Sequence, residues 1–333
     1  MSSTQAQATL RPVEWDLSGV PSAPGSHARV FARNIIIPVH MPRAPYILNA
    51  FAPIRDHVAD DVLLTLVATS APERESLERY VRLMNWAPPC ALEIVSAIEI
   101  CRSYGLLGVE RAVRTNRENG IVNFKKLLAL HRAAALGAEE ILCVDSDCAF
   151  IKPLGECFDR LKANHDTRTF VAGHAGLAAA IVDASIDAFG PQGAQQLRSV
   201  VGSPPLYSWF YDAPYYPREE LMGWLDHMSG LYGGFAAFLD SVTWGTFEHL
   251  MFQYYLVLER GYRFEDVRHL TGDRTPEELW LTETFAVMEA TGQVPSWAHL
   301  NAVTDYISPE QLDRSQAEFT MLMHVDRIFS RLD

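Results

Sequence analysis

The chain has 333 residues, of which 48% are hydrophobic and 21% charged, a composition typical of a globular protein with a substantial core. Its net charge of −13 argues against a protein that mainly coats nucleic acid. No run approaches the roughly 18 apolar residues that span a bilayer. The five cysteines lack metal-finger spacing, which favours a reducing compartment. We therefore expect a cytoplasmic protein without an integral membrane segment or a nucleic-acid partner.

Residues 1–30 are rich in Ser, Ala, Pro and Gln and lack the pattern of a signal peptide, which predicts a flexible N-terminal arm. Beyond the arm, apolar periodicity predicts alternating strands and helices. The predicted elements of the first half are strands at 34–39, 61–67, 91–96 and 141–144 and helices at 73–84 and 124–136. This alternation predicts an α/β fold with a mostly parallel sheet flanked by helices. Later in the chain we expect a strand at 168–173 and helices at about 243–259 and 277–290.

Two acids follow the last strand of the first half. The apolar run Ile141–Val144 leads directly into Asp145 and Asp147. Side chains two apart on an extended segment point to the same side, and like charges so close resist joint ionisation. A divalent cation removes that cost, and hard oxygen ligands suit Mg²⁺ or Mn²⁺. The pattern predicts a metal site at the carboxyl edge of the sheet. The alternative is that Asp145 caps a loop and Asp147 is solvated.

With its surroundings, this acid pair resembles the GT-A class of nucleotide-sugar glycosyltransferases. The similar residues are Asn123–Leu127, the helix that follows them, Ile141–Asp147 and Phe150–Pro153, within roughly residues 34–155. The resemblance implies a Rossmann-type GT-A domain over residues 31–333. Residues 31–155 would form the nucleotide-sugar donor half and residues 156–333 the acceptor half.

The resemblance also implies roles for single residues. Lys126, or its neighbour Lys125, would contact the donor, Asp145 would meet the ribose or the metal, and Asp147 would bind the metal directly. Ser146 lies between the two acids and is included in the donor site. Pro38 and Val39, at the end of the first strand, would line the nucleoside pocket. Some GT-A families use a late histidine as a further metal ligand, and His324 is the candidate here, although it could equally be a core residue.

Glu283 is the candidate general base. It lies between apolar neighbours in Trp280–Phe285, and a partly buried carboxylate can accept a proton from an acceptor hydroxyl. The alternative is an ordinary acid at the start of a helix.

The residues and the resemblance together predict a hexosyltransferase-like enzyme that uses Mn²⁺ or Mg²⁺. It would move a sugar from a nucleotide-sugar donor, UDP-linked by class frequency, to the hydroxyl of a carbohydrate or other acceptor. Two alternatives stay open: another metal-dependent nucleotidyl or phosphoryl enzyme, and a non-catalytic sugar- or nucleotide-binding module.

Overall fold

Runs of aliphatic and β-branched residues form most strands of the central sheet. The structure is a computed structural model, and it describes residues 30–106, 108, 110, 120–207, 214–275, 278–279, 281–294, 297–299 and 308–323. The N-terminal arm to residue 29, residues 208–213 and His324 lie outside these residues. The strands are β1 Arg33–Pro38, β2 Ala59–Ala68, β3 Cys90–Ser96, β4 Glu140–Cys143, β5 Ala149–Phe150, β6 Thr169–His174, β7 Leu206–Tyr207, β8 Tyr215–Pro217, β9 Arg263–Asp266, β10 Trp297–His299 and β11 Met321–Met323.

Helices connect and cover these strands, and several of them carry an apolar stripe that packs on the sheet. The helices are α1 Ala44–Ala50, α2 Ala71–Leu83, α3 Ala97–Ser103, α4 Ile121–Ala135, α5 Leu154–Asp166, α6 Ala179–Asp187, α7 Gly190–Val201, α8 Arg218–Tyr232, α9 Phe235–Ser241, α10 Glu248–Glu259, α11 Arg268–Thr271, α12 Leu281–Thr291 and α13 Pro309–Glu318. No helix in the described ranges is both long and apolar enough to cross a membrane.

The main sheet has the strand order β3–β2–β1–β4–β8. The first four strands are parallel, and β8 runs antiparallel to β4. The predicted α/β fold with a mostly parallel sheet is therefore confirmed. The chain moves outward from β1 to β3 and then returns through α4 to place β4 on the other side of β1. This reversal creates a switch point between the carboxyl ends of β1 and β4, where open α/β sheets bind ligands.

The two faces of the sheet belong to two separate apolar cores. On β4, Ile141 and Cys143 pack in the core that contains α4, whereas Leu142 and Val144 pack in the core on the other side. This alternation follows the period of two residues along a strand. Asp145, just after β4, contacts Lys126 of α4 and so lies on the same side of the sheet as Ile141 and Cys143.

The second half is mainly helical, with two small sheets in the orders β10–β11–β5 and β7–β6–β9. The helix predicted at 243–259 begins only at Glu248, because Thr243–Phe247 form a bonded loop. The helix predicted at 277–290 spans Leu281–Thr291. Whether residues 31–155 and 156–333 serve donor and acceptor stays a prediction.

Candidate active site

Asp145 and Asp147 lie in a tight turn and not on an extended strand. Strand β4 ends at Cys143, and the Cys148 N–H donates to the Asp145 carbonyl at 3.3 Å. The expectation that the two acids lie on an extended segment is therefore wrong. Asp and Ser favour such turns because their side chains compete for nearby backbone hydrogen bonds. The turn gives the two acids different surroundings: the Asp145 side chain is 38% exposed and the Asp147 side chain 6%.

Lys126 joins Asp145 to a second, fully buried carboxylate. Its Nζ lies 3.1 Å from Asp145 Oδ1 and 3.3 Å from Glu248 Oε1. Burial acts to lower the pKa of Lys126, but the two carboxylates outweigh it and raise that pKa well above its ordinary value. Burial raises the pKa of Glu248, and the Lys126 ammonium limits that rise. The arrangement holds one oxygen of Asp145 toward α4 and fixes the orientation of its carboxylate at the switch point.

Lys125 serves a different element from its neighbour. Its buried Nζ donates to the carbonyl of Val39 at 2.8 Å, and the Val39 N–H donates to Val67 on β2 at 2.9 Å. Burial lowers the pKa of Lys125 to about 8, with Glu73 opposing the shift. The lysine therefore ties the first turn of α4 to the backbone that follows β1. This backbone, with Pro38 at the end of β1, is where the sequence predicts the nucleoside pocket.

Arg43 stands beside Asp147. A short 3₁₀ helix, Met41–Arg43, follows β1, and Arg43 Nη1 lies 3.8 Å from Asp147 Oδ2. The guanidinium is half exposed, so it can also face a ligand. Sequence reasoning missed this residue, because nothing in a loop arginine shows which acid it will meet.

Glu248 was also missed, although its surroundings carried a signal. It begins α10, and its next eight residues are mostly apolar and buried. An acid at the start of a helix buried on every side needs a cation nearby. The partner could not be read from the sequence, because Lys126 lies more than 120 positions earlier.

The donor chemistry of the two aspartates fits a divalent cation bound together with a diphosphate. Among the residues that the structure describes, no group of three or more His, Cys, Asp or Glu side chains is placed to hold a metal ion. Asp145 and Asp147 offer hard oxygen atoms, and phosphate oxygens and water normally complete such a shell. The acids Asp145, Asp147 and Glu248 against Lys126 and Arg43 leave one net negative charge to attract a cation.

Ser146 and Glu283 complete the predicted set within the described residues. Ser146 is buried in the turn between the two aspartates. Glu283 lies in the first turn of α12, and its Oε1 accepts a hydrogen bond from Arg274 Nη1 at 2.7 Å. An arginine at this distance holds the Glu283 carboxylate in one place. Its role as a general base stays a prediction, as does metal binding by His324.

Comparisons with known proteins give the following. The sequence matches no protein-family model and no curated protein. The solved structures similar to this chain include three glycosyltransferases: mouse xyloside xylosyltransferase 1 (10% identity, TM-score 0.41, 71% of this chain and 84% of that one), the bifunctional WbbM (11%, 0.43, 90% and 47%) and GlyE of Streptococcus pneumoniae TIGR4 (7%, 0.34, 88% and 54%). The chain thus spans about half the length of WbbM and of GlyE.

Proposed function

We propose that the protein is a metal-dependent glycosyltransferase that uses a UDP-linked sugar donor. One observation carries the proposal: two aspartates stand at the switch point of a parallel sheet, and a buried lysine fixes the first of them. A nucleotide-sugar leaves a nucleoside diphosphate behind, so negative charge grows on the bridging oxygen during transfer. A divalent cation held by Asp145 and Asp147 would supply stabilisation of that charge when bound.

The other residues of the site bind and orient the donor. The backbone at Pro38 and Val39, fixed by Lys125, lines the nucleoside side of the switch point. Asp145, with one oxygen on Lys126, keeps the other available for the ribose or the cation. Arg43, half exposed beside Asp147, faces the region of the diphosphate and adds a positive charge there. Glu283 is the candidate that accepts the proton of the acceptor hydroxyl.

The test is turnover of UDP-glucose, UDP-galactose, UDP-xylose and UDP-N-acetylglucosamine with Mn²⁺ or with a chelator. Release of UDP is measured, first without an acceptor and then with p-nitrophenyl glycosides. We expect turnover of at least one donor that depends on Mn²⁺. Asp147→Asn should reduce it by at least 10²-fold, because the variant loses a charged metal ligand. The melting temperature should change little, since Asn fills the same space.

Asp240→Asn is the matched control, because Asp240 is an exposed aspartate on α9. Equal activity of the Asp147 and Asp240 variants would remove Asp147 from the mechanism. Binding of UDP without turnover of any donor would favour the binding module, and turnover of nucleoside triphosphates alone would favour a nucleotidyl or phosphoryl enzyme.

A further inference from the structure

The loop Thr243–Phe247, immediately before α10, is held from both of its sides. Asn123 on α4 donates through Nδ2 to the carbonyls of Thr243 at 3.1 Å and Trp244 at 3.2 Å. On the other side, Ser185 Oγ donates to the Gly245 carbonyl at 3.3 Å and accepts from the Phe247 N–H at 3.1 Å. Since buried side chains of two different helices fix its backbone, the loop is preorganised.

This loop lies next to the candidate active site. Asn123 precedes Lys126 by three residues, about 4.5 Å along the axis of α4. Helical side chains tilt toward the N-terminus, so the Lys126 side chain leans toward the turn that holds the loop. Glu248, the buried partner of Lys126, follows Trp244 by four residues. Two short paths therefore link Trp244 to Lys126 and its partner Asp145: the hydrogen bond from Asn123 on α4, and the four-residue step to Glu248 on α10.

Trp244 presents its indole to solvent from this fixed backbone. The residue is 57% exposed, and its ring meets Phe247 at 90° with the ring centroids 6.3 Å apart. A single exposed apolar residue is ordinary on a protein surface. Trp244, however, lies beside a polar site, and two buried residues hold its loop in place. An aromatic face with one edge packed and the rest wet suits the apolar C–H face of a pyranose ring.

We propose that Trp244 is the stacking platform for the pyranose ring of the acceptor. That the bound pyranose is an acceptor rests on the proposed function. The binding of a pyranoside to Trp244 can be tested without turnover. On α4, Asn123, which holds the loop, and Lys125, which contacts the Val39 carbonyl, lie about 200° apart around the helix axis, so the loop and the backbone after β1 contact opposite sides of α4. The platform therefore leaves the donor region open and places an acceptor ring beside it.

The first test is binding, read from indole N–H signals of ¹⁵N-labelled protein. The chain has seven tryptophans, and the signal lost in Trp244→Phe is that of Trp244. Methyl β-glucoside, methyl β-galactoside and methyl β-xyloside are titrated in turn, with sorbitol as an open-chain control. We expect a saturable shift of the Trp244 signal with at least one pyranoside and none with sorbitol. The inference is overturned if none of the three pyranosides changes the chemical shift of the Trp244 indole N–H, or if sorbitol changes it equally.

The second test is kinetic and uses the p-nitrophenyl glycoside that the wild type accepts. Trp244→Ala should raise the KM for that glycoside about tenfold, the scale of one aromatic contact, and raise the donor KM less. Trp244→Phe should keep most of the affinity. Leu83→Ala is the control, because Leu83 is exposed at the far end of α2. An unchanged acceptor KM in Trp244→Ala overturns the stacking role. Absence of all turnover overturns the proposed function. The binding test then decides whether Trp244 binds a pyranose ring.

Discussion

At the scale of single residues, the contact of Lys126 with Glu248 decides how the site is built. Glu248 is completely buried, and the Lys126 ammonium lies 3.3 Å from its carboxylate. Lys126→Met should therefore lower the free energy of unfolding by about 3–5 kcal/mol, because it leaves a buried carboxylate without its cation. Urea denaturation measures the change.

The double variant Lys126→Met/Glu248→Leu should recover most of that loss, since an apolar pair of similar volume can replace a buried ion pair. Additive losses in the double variant would contradict the pairing. Even a stable double variant should lose turnover, because the Lys126 contact that orients the Asp145 carboxylate is then lost.

Lys125 gives a prediction for alkaline pH. Its pKa of about 8 in the folded protein lies below the 10.5 of an ordinary lysine because of burial. The unfolded chain therefore binds a proton between pH 8 and 10.5 that the folded protein does not bind, so this group makes stability rise with pH in that window. This increase in the free energy of unfolding is fully present above pH 10.5 and absent below pH 8. Lys125→Met should remove this contribution.

Unfolding by urea at a series of pH values measures the difference between wild type and Lys125→Met. Lys152→Met is the control, because Lys152 is a partly exposed lysine just before α5. Parallel curves for the wild type and Lys125→Met between pH 8 and 10.5 would show that the Lys125 amine is not held in a low-polarity environment.

At the scale of elements, the start of α4 fixes the loop that carries Trp244. Gly120 precedes α4 with φ of +85°, and a Cβ there would lie 2.6 Å from the carbonyl carbon of Thr243. Gly120→Ala should cost about 1 kcal/mol for the left-handed backbone and more for the clash with the loop. Gly233→Ala is a matched control, with φ of +78° and open space around it.

Thermal or urea unfolding of the two variants separates the two costs. We expect Gly120→Ala to be the more destabilised and also to shift the Trp244 indole signal, because the loop must move. Equal losses would mean that the loop yields freely and is not preorganised.

Sequence alone predicted elements where the pattern had one strong period. The apolar run around Ile35–Ile37 predicted β1, and the structure has a strand there. The acids after Val144 were predicted at the carboxyl edge of the sheet, and they follow the carboxyl end of β4. Helices α5 to α8 were missed, although α5 and α7 are about as amphipathic as α2, which was predicted. Contacts between distant segments, such as Lys126 with Glu248, depend on the packing of α4 against α10 and leave no local trace.

At the scale of the whole molecule, charge is arranged differently at the two ends of the main sheet. A cleft of about 980 Å³ opens at the amino end, beside Arg33 and Glu140. Its size does not make it the active site, because it lies away from the switch point and much of its lining charge is internally paired. Arg33 Nε donates to Glu140 at 2.8 Å, and the Tyr215 hydroxyl donates to Glu140 at 2.6 Å. The amino end thus contributes stability, and the carboxyl end holds the candidate site.

Acid should unfold the molecule through the helical core behind the site. His131 on α4 stacks on Phe235 with ring centroids 4.8 Å apart, and His249 follows Glu248 on α10. Burial lowers the pKa of His131 to about 4 and that of His249 to about 3. Between these values and the ordinary 6.5, the unfolded chain binds protons that the folded protein does not bind, so stability falls as pH falls through the window.

His131→Phe keeps an aromatic ring in the stack and removes one of these titrations. Relative to the wild type, its free energy of unfolding should improve as pH falls from 6.5 to 4, by up to about 3 kcal/mol. His57→Phe is the matched control, because His57 is an exposed histidine. Urea unfolding at pH 7, 6, 5 and 4 measures both. A constant difference in the free energy of unfolding between His131→Phe and wild type across that range would mean that His131 is protonated equally in the folded and unfolded states. The core joining α4 to α10 would then not be the part of the molecule that acid destabilises.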